Sequence, residues 1–313
     1  MMNLDISEKK SNIFKHIEEM ADVRYRTIDV DFSEFEDDYI KLSFEYCHNI
    51  IKHHSKTFNM ASSLLDNERR NAVASLYGFC RISDDLIDKN IVHGDELLNS
   101  WTNSINCQIP NIAAPIQFAW LFTRMKYQIP AEYMNQLIKG VQMDTHKKRY
   151  ETIEELVEYC YYVASTVGLM SMHIIGFSDK RAIPYAIQMG VALQLTNIIR
   201  DIGEDYEMGR IYIPQEELKK YGITEDHFRE KIVDDSWKKL MAFQIKRARD
   251  YYQQSWEGLS LLEAKGKWSI TAAATLYQEI LKMVERNKYD NLNNRAYVSK
   301  KRKLFLLAKM MIN

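Results

Sequence analysis

Between Leu193 and Asp205 the chain reads Leu-Gln-Leu-Thr-Asn-Ile-Ile-Arg-Asp-Ile-Gly-Glu-Asp, a pattern that allows few folds. Leu193, Leu195, Ile198, Ile199 and Ile202 give it an apolar character, and a helix is expected over about 181–205. On that helix Asn197, Asp201 and Asp205 fall at i, i+4 and i+8, on one face. At a rise of about 1.5 Å per residue they form a polar column about 12 Å long. A core helix gains nothing from unpaired carboxylates, because burying an uncompensated charge is costly. Something cationic should lie against that column.

A second stretch, Cys80-Arg81-Ile82-Ser83-Asp84-Asp85-Leu86-Ile87-Asp88, also reads as a helix. Asp84 and Asp88 are one turn apart on one face, with Asp85 beside them. Two acidic helices can face each other only with cations between them. Mg²⁺ suits this role, since it prefers carboxylate oxygen, keeps several waters and is commonly shared with substrate phosphates. Acids on both walls with Mg²⁺ and diphosphate between them would serve to remove a diphosphate leaving group. The plain alternative is a pair of solvated helix faces, since acidic i, i+4 pairs are common.

The chain has 313 residues, with only 11 Gly and 5 Pro, so turns are sparse and helices long. No segment shows strand alternation, and the fold class expected is all-α, one helical domain over 39–313. Helices are expected at 39–62, 67–90, 95–106, 116–127, 131–148, across Tyr159–Phe177, and at 225–231, 235–264 and 269–288. Residues 1–38 are acidic and poor in aliphatics, and are expected as a weakly ordered or surface-lying extension. Ser33 and Glu36 there form a candidate capping box for a helix starting near Glu34. Cys47, Cys80, Cys107 and Cys160 have no paired spacing and read as reduced core thiols. His48, His53 and His54 read as partly exposed histidines, and Asp144 as part of a solvated, charged helix end. A net charge of −1 gives no general reason to bind nucleic acid. No apolar run reaches the ~18 residues of a membrane span, and Met1 to Lys10 has no signal-peptide core. The location expected is cytoplasmic or peripheral at a membrane. The basic and apolar tail from Lys300 to Lys309 reads equally as a membrane-surface segment or as a helix docked on the bundle.

DDLID at 84–88 and QLTNIIRDIGED at 194–205 resemble the two aspartate-rich motifs of the squalene/phytoene synthase family. Other segments follow in the family's order. His54-Ser55-Lys56-Thr57-Phe58 resembles its N-terminal substrate segment, and Leu76-Tyr77-Gly78-Phe79-Cys80-Arg81 leads into the first motif. Tyr159 to Gly168 resembles its YCYxVAGxVG signature, with Ser165 where Gly is usual. Gly209 to Pro214 and Tyr289-Asp290 through Arg295 also match. The resemblance runs from about residue 42 to the C-terminus.

It implies a helical bundle of the class I isoprenoid synthase type around a central apolar tunnel, joining two identical prenyl diphosphates head to head. Ionisation of one gives an allylic cation, and attack by the other's double bond, with loss of a proton, forms a cyclopropylcarbinyl diphosphate. A second ionisation, rearrangement and proton loss follow. Mg²⁺, with Mn²⁺ able to stand in, would be held by Asp84, Asp88, Asn197, Asp201 and Asp205. Arg81, Arg200, Arg210, Arg295 and Lys56 would pair with diphosphate oxygens, with Ser55, Thr57 and Gln194 nearby. Phe58, Tyr77, Tyr159, Tyr212 and Tyr277 would border the reacting carbons, and Val163, Ala164 and Gly168 the tunnel. From packing alone, the small residues Ala164, Ser165 and Gly168 fit close helix contact as readily as a channel. Small Ser62 and Ala74 would leave room for a C20 chain, which points to geranylgeranyl diphosphate and phytoene; farnesyl diphosphate with a C30 product is the alternative. Squalene would need NADPH, which is not expected, although an all-α fold would not display a dinucleotide fingerprint in any case. A non-catalytic helical binding protein is the reading from another class. The chain would act as a monomer or homodimer.

Overall fold

The structure, a computed structural model, describes residues 2–23, 27–89, 93–107 and 109–312. Among them there is no strand, and only two isolated bridges, Arg149 with Ile211 and Phe177 with Leu262. The helices run in order α1 Met2–Ala21, α2 Asp37–His54, α3 Lys56–Ser62, α4 Asn67–Asp88, α5 Gly94–Asn106, α6 Pro115–Tyr127, α7 Ala131–His146, α8 Ile153–Cys160, α9 Thr166–Ile175, α10 Ala182–Glu207, α11 Gln215–Lys220, α12 Glu225–Arg229, α13 Asp235–Ser255, α14 Ala264–Arg286 and α15 Lys300–Ile312.

The centre is α10. Its Val191, Ala192, Leu195, Ile198, Ile199 and Ile202 are buried in the main core, against α13, α14 and α9. Among the described residues it is the one helix long and apolar enough to cross a membrane, and its buried apolar residues belong to that core. Gly190 lets it approach its neighbour, since a Cβ there would come within 2.4 Å of the Ser165 Cα. Ser165 sits in a π-helical turn, Tyr161–Ser165, between α8 and α9, and its hydroxyl donates to the Ile187 carbonyl at 2.8 Å. The segment of small residues thus divides. Ser165 makes close helix contact, while Gly168 borders an apolar cavity described below.

The loop after α14 is tied down from both sides. The Trp237 indole donates to the Tyr289 carbonyl at 3.1 Å and to Asn291 Oδ1 at 3.2 Å. Asn291 Nδ2 in turn donates to the Ile199 carbonyl at 2.5 Å. A Cβ at Gly203 would lie 2.5 Å from the Leu292 carbonyl oxygen, so only glycine lets this loop lie on α10.

Several expectations need correction. Residues 1–38 are not simply a surface-lying extension: α1 buries Ile17 and Ala21 in the main core, and Tyr133 and Gln136 donate to its last carbonyls, those of Ala21 and Met20. Ile28, Val30 and Phe32 form a second cluster with Phe118 and Leu121. The capping box at Ser33 does not form; the Ser33 amide donates to Asp31, and α2 starts at Asp37. The single helix expected over 39–62 is broken at Ser55, whose extended backbone starts α3 and whose hydroxyl accepts from the Phe58 amide at 3.2 Å. The helix expected to reach 264 ends at Ser255 and continues as a 3₁₀ turn. Cys107 is exposed and not a core thiol. The helix end expected at 90 and the loop start at Gln108 lie outside the described residues.

Candidate active site

The two acidic columns face one cleft. Asp84 and Asp88 end α4, and Asn197, Asp201 and Asp205 line the C-terminal half of α10. Asp84 is reachable by solvent but surrounded by protein, and its carboxyl is pushed up to about 8, by burial first and then by the charges of Asp88 and Asp144. Burial, then Asp201, pushes Asp205 up to about 8 as well, with Asp144 adding to the effect and Arg210 opposing it. Asp144, which ends α7, thus joins both walls.

Arginines stand between the acids. Arg200 donates to both oxygens of Asp201, at 2.8 and 2.5 Å, and Arg295 donates to Asp201 Oδ1 at 2.6 Å. Burial alone would raise the Asp201 pKa, but these two guanidiniums hold it below the usual carboxylate range. Arg210, 8% exposed, donates to Asp88 Oδ1 at 2.8 Å and so ties the turn after α10 to α4. Arg81 pairs with Asp85 one turn on. The cations expected between the columns are therefore supplied in part by the chain itself.

Asp144 was expected in a solvated helix end, and the structure corrects this. Tyr159 donates to its Oδ2 at 2.8 Å and Tyr212 to its Oδ1 at 2.8 Å. The two rings stack at 5.1 Å, with Tyr150 5.3 Å from Tyr159. Burial raises the Asp144 pKa against the pull of Arg210 and the two hydroxyls. A signal existed in the sequence: Met134, Leu137, Val141 and Asp144 follow one another at i, i+3, i+7 and i+10, along the buried stripe of α7.

A second aromatic group lies beside the columns. Phe58 stands 5.1 Å from Tyr277 and 6.3 Å from Tyr77, and Tyr277 lies against the Arg200 guanidinium. Thr57 accepts from Lys303 of α15 at 2.6 Å, a residue the motifs did not single out, since it comes from a distant element. Ser55 is held as the cap of α3. Gln194 accepts from Asn197 Nδ2 at 3.2 Å. Val163 and Ala164 are half-buried on the π turn.

An apolar cavity opens at the other end of α10. Gly168, Met172, Ala186, Met189 and Leu259 are among its walls, and its mouth is open to solvent. Ala186, Met189, Leu193, Asn197 and Asp201 follow one face of the helix. From Met189 to Asp201, twelve residues, is about 18 Å. One helix thus carries acids at one end and an apolar recess at the other. Ser62 and Ala74 are buried, Ala74 in a cluster with Phe44, Ile51 and Ile116, and neither borders this cavity.

The donor set suits a hard divalent cation. The Asn197 Oδ1 is buried without a partner, and carboxylate and amide oxygens are what Mg²⁺ takes. Among the described residues no three acids or histidines converge closely enough to share one ion, so substrate oxygens would complete its shell.

A family profile described as Squalene/phytoene synthase matches residues 51–302. The chain belongs to the squalene/phytoene synthase family. It is therefore a prenyltransferase, of the all-α isoprenoid synthase fold. It is 38% identical over 274 residues to the chloroplastic phytoene synthase of Daucus carota, covering 85% of this chain and 69% of that one. It is 35% identical over 285 residues to the 15-cis-phytoene synthase of Synechococcus elongatus, covering 86% and 92%. A crystal structure of a dehydrosqualene synthase in complex with ligand superposes with a TM-score of 0.80 at 32% identity, covering 88% and 97%.

Proposed function

We propose that this family member condenses two geranylgeranyl diphosphates head to head, through a cyclopropylcarbinyl diphosphate, to phytoene. The observation that carries the reading is the layout of α10, with acids and arginines at one end and an apolar recess about 18 Å down the same face. That matches an amphiphile with a diphosphate head and a long hydrocarbon tail.

Asp84, Asp88, Asn197, Asp201 and Asp205 would hold Mg²⁺, which offsets charge on the departing diphosphate. Arg200, Arg210 and Arg295 exchange their carboxylate partners in part for diphosphate oxygens, as guanidiniums do readily. Arg81 and Lys56 flank them. Phe58, Tyr77 and Tyr277 offer ring faces to the allylic cation. Tyr159 and Tyr212 border the same space, with their hydroxyls oriented by Asp144. The apolar interior excludes water, which would quench it.

The test is incubation with C15 and C20 diphosphates and Mg²⁺, with and without NADPH, followed by mass analysis of the hydrocarbon. A C40 product from the C20 substrate without NADPH is expected. A C30 product alone would reassign the substrate to farnesyl diphosphate, and no diphosphate release from either would overturn the reading.

A further inference from the structure

We propose that the outward face of α15 docks on an anionic lipid surface. From Asn291 to the end, the chain has no Asp or Glu, yet it carries Arg295, Lys300, Lys301, Arg302, Lys303 and Lys309. The inner face of α15 is already satisfied. Leu307 and Met310 pack on Ala61, Ala272 and Ala273, Leu306 is buried, and Arg302 pairs with Glu279 at 2.9 Å.

The outer face is also apolar. Leu304 is 51% exposed and Phe305 57%, with Ala308 one turn further along. Tyr297, just before the helix, is 77% exposed. Trp268, 51% exposed, sits one turn before Ala272 on α14, the helix against which α15 packs. A surface helix in water keeps one face polar. Here apolar side chains point both ways, and Lys300, Lys301 and Lys309 flank the outer set with no carboxylate partner among the described residues. Bulky apolar groups ringed by lysines suit headgroups that are negative above an apolar layer. The charge selects anionic lipid over a neutral surface, and the leucine and phenylalanine select lipid over nucleic acid.

The helix also borders the candidate active site. Lys303 reaches Thr57, and burial, then Lys56 and Arg200, hold its ammonium below the ordinary value. Docking through α15 would therefore set the cleft beside the layer in which a long-tailed substrate resides.

The test uses the full chain and needs no turnover. Sedimentation with vesicles of phosphatidylcholine alone, or mixed with phosphatidylglycerol, is compared at low and high salt. Binding to the mixed vesicles is expected, and it weakens with salt. The triple variant Lys300→Gln, Lys301→Gln, Lys309→Gln should bind roughly a hundredfold more weakly. The variant Leu304→Ser, Phe305→Ser should lose binding while keeping the wild-type melting temperature and its activity in detergent. Equal binding to neutral vesicles, no binding by the wild type, or retained binding by both variants would overturn the proposal. A dimer that Leu304→Ser, Phe305→Ser dissolves, without vesicle binding, would give the face to a second copy instead. Because binding is read without substrate, its failure leaves the assignment of the reaction untouched.

Discussion

Tyr212 donates its hydroxyl to Asp144 at 2.8 Å, and the opposite oxygen of that carboxylate takes the hydroxyl of Tyr159. One acid therefore orients two stacked phenols at the wall of the acidic cleft. Substituting Asp144→Ala frees both hydroxyls and leaves them short of an acceptor. A lost buried hydrogen bond to a charged group costs about 1.5–3 kcal/mol, so turnover should fall about 10- to 100-fold. The fall should lie mainly in kcat, because Arg200 and Arg295, proposed above to bind the diphosphate, are held by Asp201 and not by Asp144. Steady-state kinetics, with circular dichroism to check folding, decide it. A variant with wild-type kcat would remove Asp144 from the mechanism.

The approach of the 287–298 loop to α10 rests on a missing side chain. A Cβ at Gly203 would stand 2.5 Å from the Leu292 carbonyl, and this loop brings Arg295 to Asp201. In Gly203→Ala the loop must lift. Overpacking of this kind costs about 1–3 kcal/mol, so the melting temperature should drop by several degrees. KM for the prenyl diphosphate should rise as well, because Arg295 moves with the loop. Gly209→Ala serves as a control, since a Cβ there meets nothing within 4 Å; its φ of +77° carries backbone strain but no pressure on Leu292. Thermal melts and KM values for both variants separate the two effects.

Much of this architecture is legible from residue order. The apolar register of α10 and its Asn197–Asp201–Asp205 column require only helical periodicity, as do the caps at Asp66 and Thr152, which accept from Arg69 and Glu155. The break at Ser55 is hidden, because Phe44, Cys47, Ile51, Phe58 and Ala61 keep helical spacing across it, and only the local hydroxyl cap interrupts the chain. The packing of α1 is masked by acidic composition, although Ile13, Phe14, Ile17, Met20 and Ala21 make a helical stripe. The arginine partners of the acids lie beyond such reading. Arg210 and Asp88 are 122 positions apart, and Arg295 and Asp201 are 94 apart, so their meeting depends on how separate elements dock.

Product length can be tested at the far end of α10. Ala186 and Met189 border the apolar cavity, on the face that leads to Asn197 and Asp201. Ala186→Phe places a ring where the end of a C20 tail would reach and leaves the acids and arginines unaltered. The expected result is loss of most C40 product with C15 substrate still accepted, read as a change in the C30 to C40 ratio by mass analysis. Ser62→Phe, at a small buried position outside this cavity, is the comparison and is expected to leave the ratio unchanged. If Ala186→Phe leaves the ratio unchanged while Ser62→Phe shifts it, the tail ends near α3 and not beside α9.

Chelation and pH should act on stability together. Burial and neighbouring charge push the Asp84 and Asp205 carboxyls up to about 8, well above the ordinary aspartate value of about 3.9. A raised acid favours the folded state when protonated. That contribution is fully present below about pH 4 and is lost as pH climbs through about 8. Asp201, held low by Arg200 and Arg295, acts in the opposite sense, with stability lost only as pH falls into the acid range. In chelator, the melting temperature should therefore decline from pH 6 up to about pH 8 and level off above it, where the carboxyls are ionised in both the folded and the unfolded state. Added Mg²⁺ binds the ionised form and should restore stability most at the upper end of that range, because a ligand for the folded state stabilises it by mass action. Asp84→Asn with Asp205→Asn should flatten the chelator profile and abolish the response to Mg²⁺. Melting curves across that pH range, with and without the metal, check both signs, and a chelated wild type whose melting temperature rises toward pH 9 would contradict the assignment of these carboxylates as the unpaired members of the cleft.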